Sequence, residues 1–290
     1  MVYQDNRLIT LNSKDGEKLN STYLSNIKFN FSGLLQDDIY LIRTYITVLN
    51  AQIPVSFYII DDTNNILTYT QASITKTITV PIGNYNGNQM VSILNSSFTT
   101  NGSGITTSLN PNTGILNFLI TDGISYSFRQ SSSTIKSILG FTSNITSTTL
   151  ITMPYQLNLL GIKKIFINSN NLKNSAFTSK SLSSVQTIAT IPVDQPPYSM
   201  INYVSVSDLE KNILFNRSLD VLDIQLVDED NEYINFQNIN WSITLCLTIE
   251  KNDHEKINYN INTLPIPTNN NIETNKKLSR DEKELKLLES

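Results

Sequence analysis

Histidine and cysteine each occur once in the 290 residues, as His254 and Cys246. A single cysteine excludes an intrachain disulfide and any multi-cysteine zinc site. A Ser-His-Asp or Cys-His device would have to use His254. That residue lies in the polar stretch Lys251-Asn-Asp-His-Glu-Lys256, with no apolar wall to fix and desolvate it. Cys246 has no basic neighbour in sequence to activate it and reads as an inert sheet thiol. Charge is also scarce: 16% of residues carry it, the net value is −4, and arginine forms no cluster. Direct nucleic-acid binding is therefore not expected, because it needs many phosphate-neutralising cations on one face. No stretch approaches the roughly 20 apolar residues of a membrane helix. The opening MVYQDNRLIT has no basic segment leading into an apolar run, so no secretory signal is expected and synthesis is placed in a cytoplasm. Phosphate-cradling and nucleophile-elbow motifs are missing too, and Gly102-Ser-Gly104 is only a loop.

The remaining candidates have plain readings. The run Asp228-Glu-Asp-Asn-Glu232 lacks the central glycine and downstream bidentate glutamate of a calcium loop, and reads as a solvated hairpin tip. Asp37-Asp38 and Asp61-Asp62 flank strands in the same way. Trp241 opens an alternating strand and is expected to anchor a core. These readings leave no catalytic, cofactor or metal residue to name, and no enzyme is expected.

What the chain does have is β-branched and aromatic residues alternating with Asn, Ser and Thr, a composition that suits pleated sheet and turns. Trp241, Ile243, Leu245, Leu247 and Ile249 fall on one face of a strand, and Ser242, Thr244, Cys246 and Thr248 on the other. Ile27, Phe29 and Phe31 alternate likewise. Further strands are expected at 39–50, 157–168, 184–191, 199–206, 211–216 and 219–227, making eight outside one central block. Eight short alternating strands suggest a two-sheet sandwich, though periodicity alone does not select a topology.

The central block, 51–155, reads as a separate α+β unit. A hairpin is expected between 57–60 and 66–69 around an acidic tip, and a strand at 76–80 follows. A helix is marked by Met90, Ile93, Leu94 and Phe98, and a second hairpin turns at 110–114. A short helix follows, with Ser132 or Ser133 as its cap and Gly140 as its stop. Such an insertion is cheap in chain entropy, about 0.6 kcal/mol per doubling of loop length. After Glu250 the pattern fades: 251–274 reads as a linker and 275–290 as a charged segment that orders only against a partner.

Three stretches carry a resemblance to a known family. They are Asp223–Phe236 with Trp241–Leu247; Leu159–Ile162 leading into Ile165–Leu172; and Thr77–Tyr85 with Ile138–Phe141. The chain resembles the penton, or minor capsid, proteins of virophages and polinton-like viruses, related to giant-virus vertex proteins. The resemblance implies a mainly β fold, a single jelly-roll β-sandwich with an inserted α+β domain between the strands at 39–50 and 157–168. The jelly roll would comprise 1–50 and 156–255, the insertion 51–155, and a flexible charged tail 256–290. It also implies a homopentamer at icosahedral fivefold vertices of the virion, assembled in the host cytoplasm. The neighbour there would be a major capsid protein made of double-jelly-roll trimers. A different reading is a host-surface or glycan-binding β-sandwich module of fibre or adhesin type. There the insertion, with Tyr58, Tyr69, Tyr85 and Tyr126, would meet a host receptor. A third, hydrolytic reading would need paired carboxylates facing each other in a cleft.

Overall fold

The computed structural model describes residues 2–19, 22–35, 41–170, 176–178, 181–185, 187–205, 211–214 and 219–252. Two antiparallel sheets form a sandwich. The first contains β1 (Val2–Asn12), β4 (Leu41–Pro54), β16 (Met200–Val204), β17 (Asn212–Leu214) and β19 (Ser242–Asn252). Its order is β1-β19-β4, after which β16 and β17 both pair with β4. The second contains β2 (Glu17–Lys18), β3 (Asn26–Leu35), β12 (Lys164–Asn168), β15 (Thr187–Pro192) and β18 (Leu219–Val227), in the order β15-β12-β18-β3-β2.

This order defines the topology. With the two-residue β2 set aside and β16 and β17 counted as one interrupted strand, the sandwich strands run in sequence as β1, β3, β4, β12, β15, β16/β17, β18 and β19. The sheets then read 1-8-3-6 and 2-7-4-5, the double Greek-key weave of a jelly roll. The protein is mainly β, built on a jelly-roll sandwich.

Alternation puts one face of each sheet in the core. Ile9 and Leu11, Ile243 to Ile249 at odd positions, and Ile46, Val48, Ala51 and Ile53 face Ile27, Phe29, Leu222, Ile224, Leu226, Ile165 and Ile167. Along β4 the buried set changes from even to odd numbers. Thr244 pairs with Asn50 and Leu245 with Val48, so Leu49 is an extra residue and the strand bulges there. The bulge resets the phase, and β4 continues to Pro54. Residues 51–54 therefore lie in the sandwich rather than opening the central block.

Other expectations shift as well. Of 157–168 only Lys164–Asn168 is strand. β1, which the alternation search passed over, is an eleven-residue strand. It carries Asp5 and Arg7, and only Ile9 and Leu11 of it are buried, because it sits at the sheet edge. Asp37, Asp38 and His254 lie outside the described residues, as do the linker and tail from 253 onward. A two-stranded ladder of β13 (Ala176–Thr178) and β14 (Ser181–Val185) completes the sandwich segments.

Between β4 and β12 the chain builds a second core. β5 (Ile66–Gln71), β6 (Ile74–Thr79), β9 (Tyr126–Phe128) and β10 (Ile145–Ser147) make a sheet in the order β10-β9-β5-β6. β7 (Ile105–Leu109), β8 (Ile115–Ile120) and β11 (Leu150–Gln156) make another, in the order β11-β8-β7. Helix α1 (Gly87–Thr100) buries Met90, Leu94 and Phe98, and is held at its start by a capping box between Asn86 and Gln89. Phe98, Phe118, Phe128 and Tyr69 pack edge-on and offset with centroids 4.9–6.3 Å apart.

The first hairpin of this unit differs from expectation. β5 pairs with β6 through a turn at Ala72, whereas 57–60 is not a strand and Ile60 makes only an isolated bridge to Gly83. The reason is that Phe57 belongs to the sandwich core, so the chain is still leaving that core at 57. The second hairpin turns at Asn110–Gly114, between β7 and β8. The short helix α2 (Lys136–Leu139) ends at Gly140, whose φ is +84°. Neither serine caps it: the Ser133 hydroxyl instead accepts from Thr68 N and donates to Thr68 O.

Candidate functional site: surfaces for assembly

The residues that could carry chemistry are dispersed. Cys246 is half-buried on the outer face of β19, with its Sγ 3.8 Å from Thr248 Oγ1 and with Leu8 and Thr47 as its cross-strand partners. Trp241 is buried in the core, edge-on to Phe29, and its indole N–H donates to Leu24 O at 2.7 Å. In the acidic run, Asp228 Oδ1 accepts the backbone N–H groups of Asp230 and Glu232, at 2.9 Å each. The carboxylate thus closes its own turn. Asp61 does the same, accepting from Thr63 N and Thr63 Oγ1. Among the described residues no three His, Cys, Asp or Glu side chains come together as a metal site.

Among the described residues one carboxylate is buried, and no sequence motif marks it. Asp223 on β18 accepts from Ser169 Oγ at 3.0 Å, Asn170 N at 3.0 Å, Asn170 Nδ2 at 2.7 Å and Gln225 Nε2 at 3.2 Å. Donors satisfy both oxygens and tie the end of β12 to β18. This is a structural clasp. Asn212 is another: its amide donates to Ile188 O at 3.1 Å in the second sheet and to Ile46 O at 3.4 Å in the first.

A third polar group sits on the second core. Tyr126 donates to Asp122 Oδ2 at 2.6 Å, and the carboxylate also accepts from Gly104 N and Ile124 N. Burial acts to raise the Asp122 pKa, but these hydrogen bonds together outweigh it and hold the carboxyl below its ordinary value. Tyr126 is pushed up by burial and by the neighbouring Asp122.

The tyrosine surface does not form as expected. Tyr69 and Tyr126 are fully buried in the second core, which leaves only Tyr58 and Tyr85 partly exposed. The prominent tyrosine is Tyr198, which is 78% exposed with φ +69°. Its backbone N–H donates to Val55 O, and Ser199 O accepts from Val55 N, so the two strands hold it in that strained conformation. Burial, and after it the nearness of Tyr198, raises the Tyr85 pKa. The Pro196-Pro197 pair before it was the only sequence signal of a tight turn.

The surfaces themselves are the main feature. Residues 51–162 carry only six charged side chains, Asp61, Asp62, Lys76, Asp122, Arg129 and Lys136, which sum to zero. On the outer face of β7-β8-β11 the register sets Thr106, Leu119 and Leu150 in one row, with Leu119 51% and Leu150 47% exposed. Ser108, Asn117 and Thr152 form the next row. A face of hydroxyls, an amide and two leucines costs far less to desolvate than a charged one, and depletion of charge is the compositional mark of interface centres. Such an arrangement is suited to contact.

No family model matches the chain, and no curated protein matches it. The solved structures similar to this chain include two virophage ones. One is the mavirus penton protein, 13% identical with a TM-score of 0.46, covering 87% of this chain and 100% of the other. The second is a chain of the Sputnik virophage structure, 12% identical with a TM-score of 0.40, covering 86% and 98%. At overlaps of this size the strand order, rather than the superposition, defines the fold.

Proposed function

We propose that this chain is a structural capsid protein, a penton subunit that forms pentamers at the fivefold vertices of an icosahedral virus shell and has no catalytic role. The observation that carries the reading is the strand order 1-8-3-6 over 2-7-4-5, with a second core carried between the third and fourth sandwich strands. That is the architecture implied by the resemblance of Asp223–Leu247, Leu159–Leu172 and Thr77–Tyr85. A fold alone does not set a function. The charge-poor faces and the polar groups committed to clasps and turns add support, since they suit a part made for shape and contact.

In this reading the sandwich, expected over 1–50 and 156–255 and carried on to Pro54 by β4, supplies the ring contacts, and the unit between its two parts forms the outer cap. The partners are four further copies and the trimeric double-jelly-roll major capsid protein, within a virion assembled in the host cytoplasm. A ring requires two different, complementary faces on each subunit, burying on the order of 1,600 Å² per contact. Size-exclusion chromatography with light scattering, alone and with major capsid capsomers, tests this. A species of five times the 32.6 kDa chain mass, or a stable complex with capsomers, is expected. A chain that stays monomeric at every concentration and salt, and binds no capsomer, overturns it.

A further inference from the structure

β1 is a long edge strand without interruption. Its eleven residues run in unbroken register with β19, and among the described residues it pairs with no other strand. In such a strand alternate residues direct N–H and C=O groups outward, away from the one partner. Edges are normally blunted by shortness, proline, charged side chains, a bulge or a covering element. The other edges follow that rule. β16, β17, β2 and β10 are five residues or fewer, β15 ends in Pro192, β11 contains Pro154, and α1 packs against β6 and β7. β1 has no proline or glycine and no bulge, its two charges, Asp5 and Arg7, pair with each other at 3.0 Å, and its Val2, Tyr3 and Leu8 are exposed, Leu8 by 69%.

The chain itself contains a segment that fits this edge. Beyond the described residues, Ile257, Tyr259 and Ile261 alternate strictly with Asn258, Asn260 and Asn262, the period of a strand with one apolar face. We propose that Ile257–Asn262 of one copy adds as an antiparallel strand to the outer edge of β1 in a second copy. The inference rests on the capsid-subunit reading and names one contact within it.

Geometry favours the second copy over the segment's own edge. β19 ends at Asn252, opposite Val2, so the chain leaves the sheet at the start of β1. Only residues 253–256 separate it from Ile257, a reach of about 14 Å. A strand laid on its own β1 after so short a link would run parallel to it, in a sheet that is otherwise antiparallel. To lie antiparallel it would first have to retrace β1, about 36 Å for eleven residues. A neighbouring copy imposes no such restriction. A tail-to-edge contact joins two different surfaces of the subunit, the kind of contact that closes into a ring when the rotation allows. Backbone hydrogen bonds would supply the affinity, and the Ile-Tyr-Ile face the specificity.

The test uses the full chain with the photoreactive aromatic p-benzoylphenylalanine in place of Tyr259. Isotopically labelled and unlabelled copies are mixed, and the products are mapped by mass spectrometry alongside light scattering. The expected result is mixed-label adducts between position 259 and residues 2–12. They should be lost when Asn258 and Asn260 are both changed to proline and kept when both are changed to serine. Adducts confined to one copy, adducts elsewhere on the chain, or no adduct would each overturn the proposal. If the photoreactive chain forms five-membered assemblies by light scattering but gives no adduct between position 259 and residues 2–12, the tail contact is wrong while the capsid reading stands. If the unsubstituted chain forms no assembly and binds no capsomer, the capsid reading fails as well.

Discussion

The indole N–H of Trp241 donates to the backbone carbonyl of Leu24 across 2.7 Å, joining the residue that leads into β19 in one sheet to the segment that leads into β3 in the other. The same junction is closed by Ser13, whose N–H donates to Trp241 O and whose hydroxyl accepts from Trp241 N. Trp241 therefore bolts the sandwich at one end. Trp241→Phe keeps most of the apolar packing but leaves a buried carbonyl without its donor, and is expected to cost about 1–3 kcal/mol. Trp241→Ala adds a cavity and is expected to cost about 3–5 kcal/mol. Urea unfolding of the two variants measures both, and a Trp241→Phe chain as stable as the unsubstituted one would refute the role given to the hydrogen bond.

Asp223 offers a second test of the sandwich. Asp223→Ala removes the acceptor for Ser169 and Asn170 and is expected to destabilise by about 2–3 kcal/mol. Asp223→Asn keeps one oxygen and should lose less. Hydrogen exchange should show the loosening first at the end of β12. Unchanged protection there would contradict the clasp.

The second core carries a pH signature. The Asp122 carboxyl is held below its ordinary value in the fold, so its contribution is present above about pH 4, the unfolded value, and fades as pH falls through the lowered folded value. Tyr126 is raised, so its contribution holds below about pH 10 and fades as pH climbs through the raised value. Asp122→Asn should flatten the acid limb of thermal stability, with little change at neutral pH in the sandwich. Gly104→Ala should act in the same direction, since its Cβ would come within 2.5 Å of the Asp122 carboxyl. An unaltered acid limb in Asp122→Asn would count against the pair.

Gly140 is required by its backbone. Its φ is +84°, and a Cβ there would meet Tyr155 O at 2.3 Å. Gly140→Ala is expected to cost about 2–4 kcal/mol, combining a strained dihedral with a backbone clash. Thermal unfolding reads the loss. A neutral result would mean that the α2–β11 junction adjusts more freely than the packing indicates.

How much of this was legible in the sequence depended on burial. β19 and β3 were readable because each shows one buried apolar face, which alternation records directly. β18 instead buries neighbouring residues on both faces and was readable from its run of Leu, Ile and Val. Helix α1 was readable from Met90, Leu94 and Phe98. β1 was not, because an edge strand with Asp5, Arg7 and only two buried residues leaves a faint period. The end of β4 was misplaced because the bulge at Leu49 reverses the phase, and a reversal looks like an ending. The hairpin placed around Asp61–Asn65 failed because turn chemistry marks a turn without naming the strands it joins. The burial of Tyr69 and Tyr126 is not legible in the sequence because tyrosine suits both settings, and the packing of Tyr69 against Phe98 and Phe128 and of Tyr126 against Tyr69 decides it. The Asp223 clasp joins residues more than fifty positions apart, which no local pattern records.

Electron microscopy of the purified, negatively stained chain, with and without major capsid capsomers, tests the central claim most directly. The account predicts five-membered rings, or vertices capped by a single five-membered ring. Particles that remain single subunits under both conditions, or that close with any other symmetry, would contradict it.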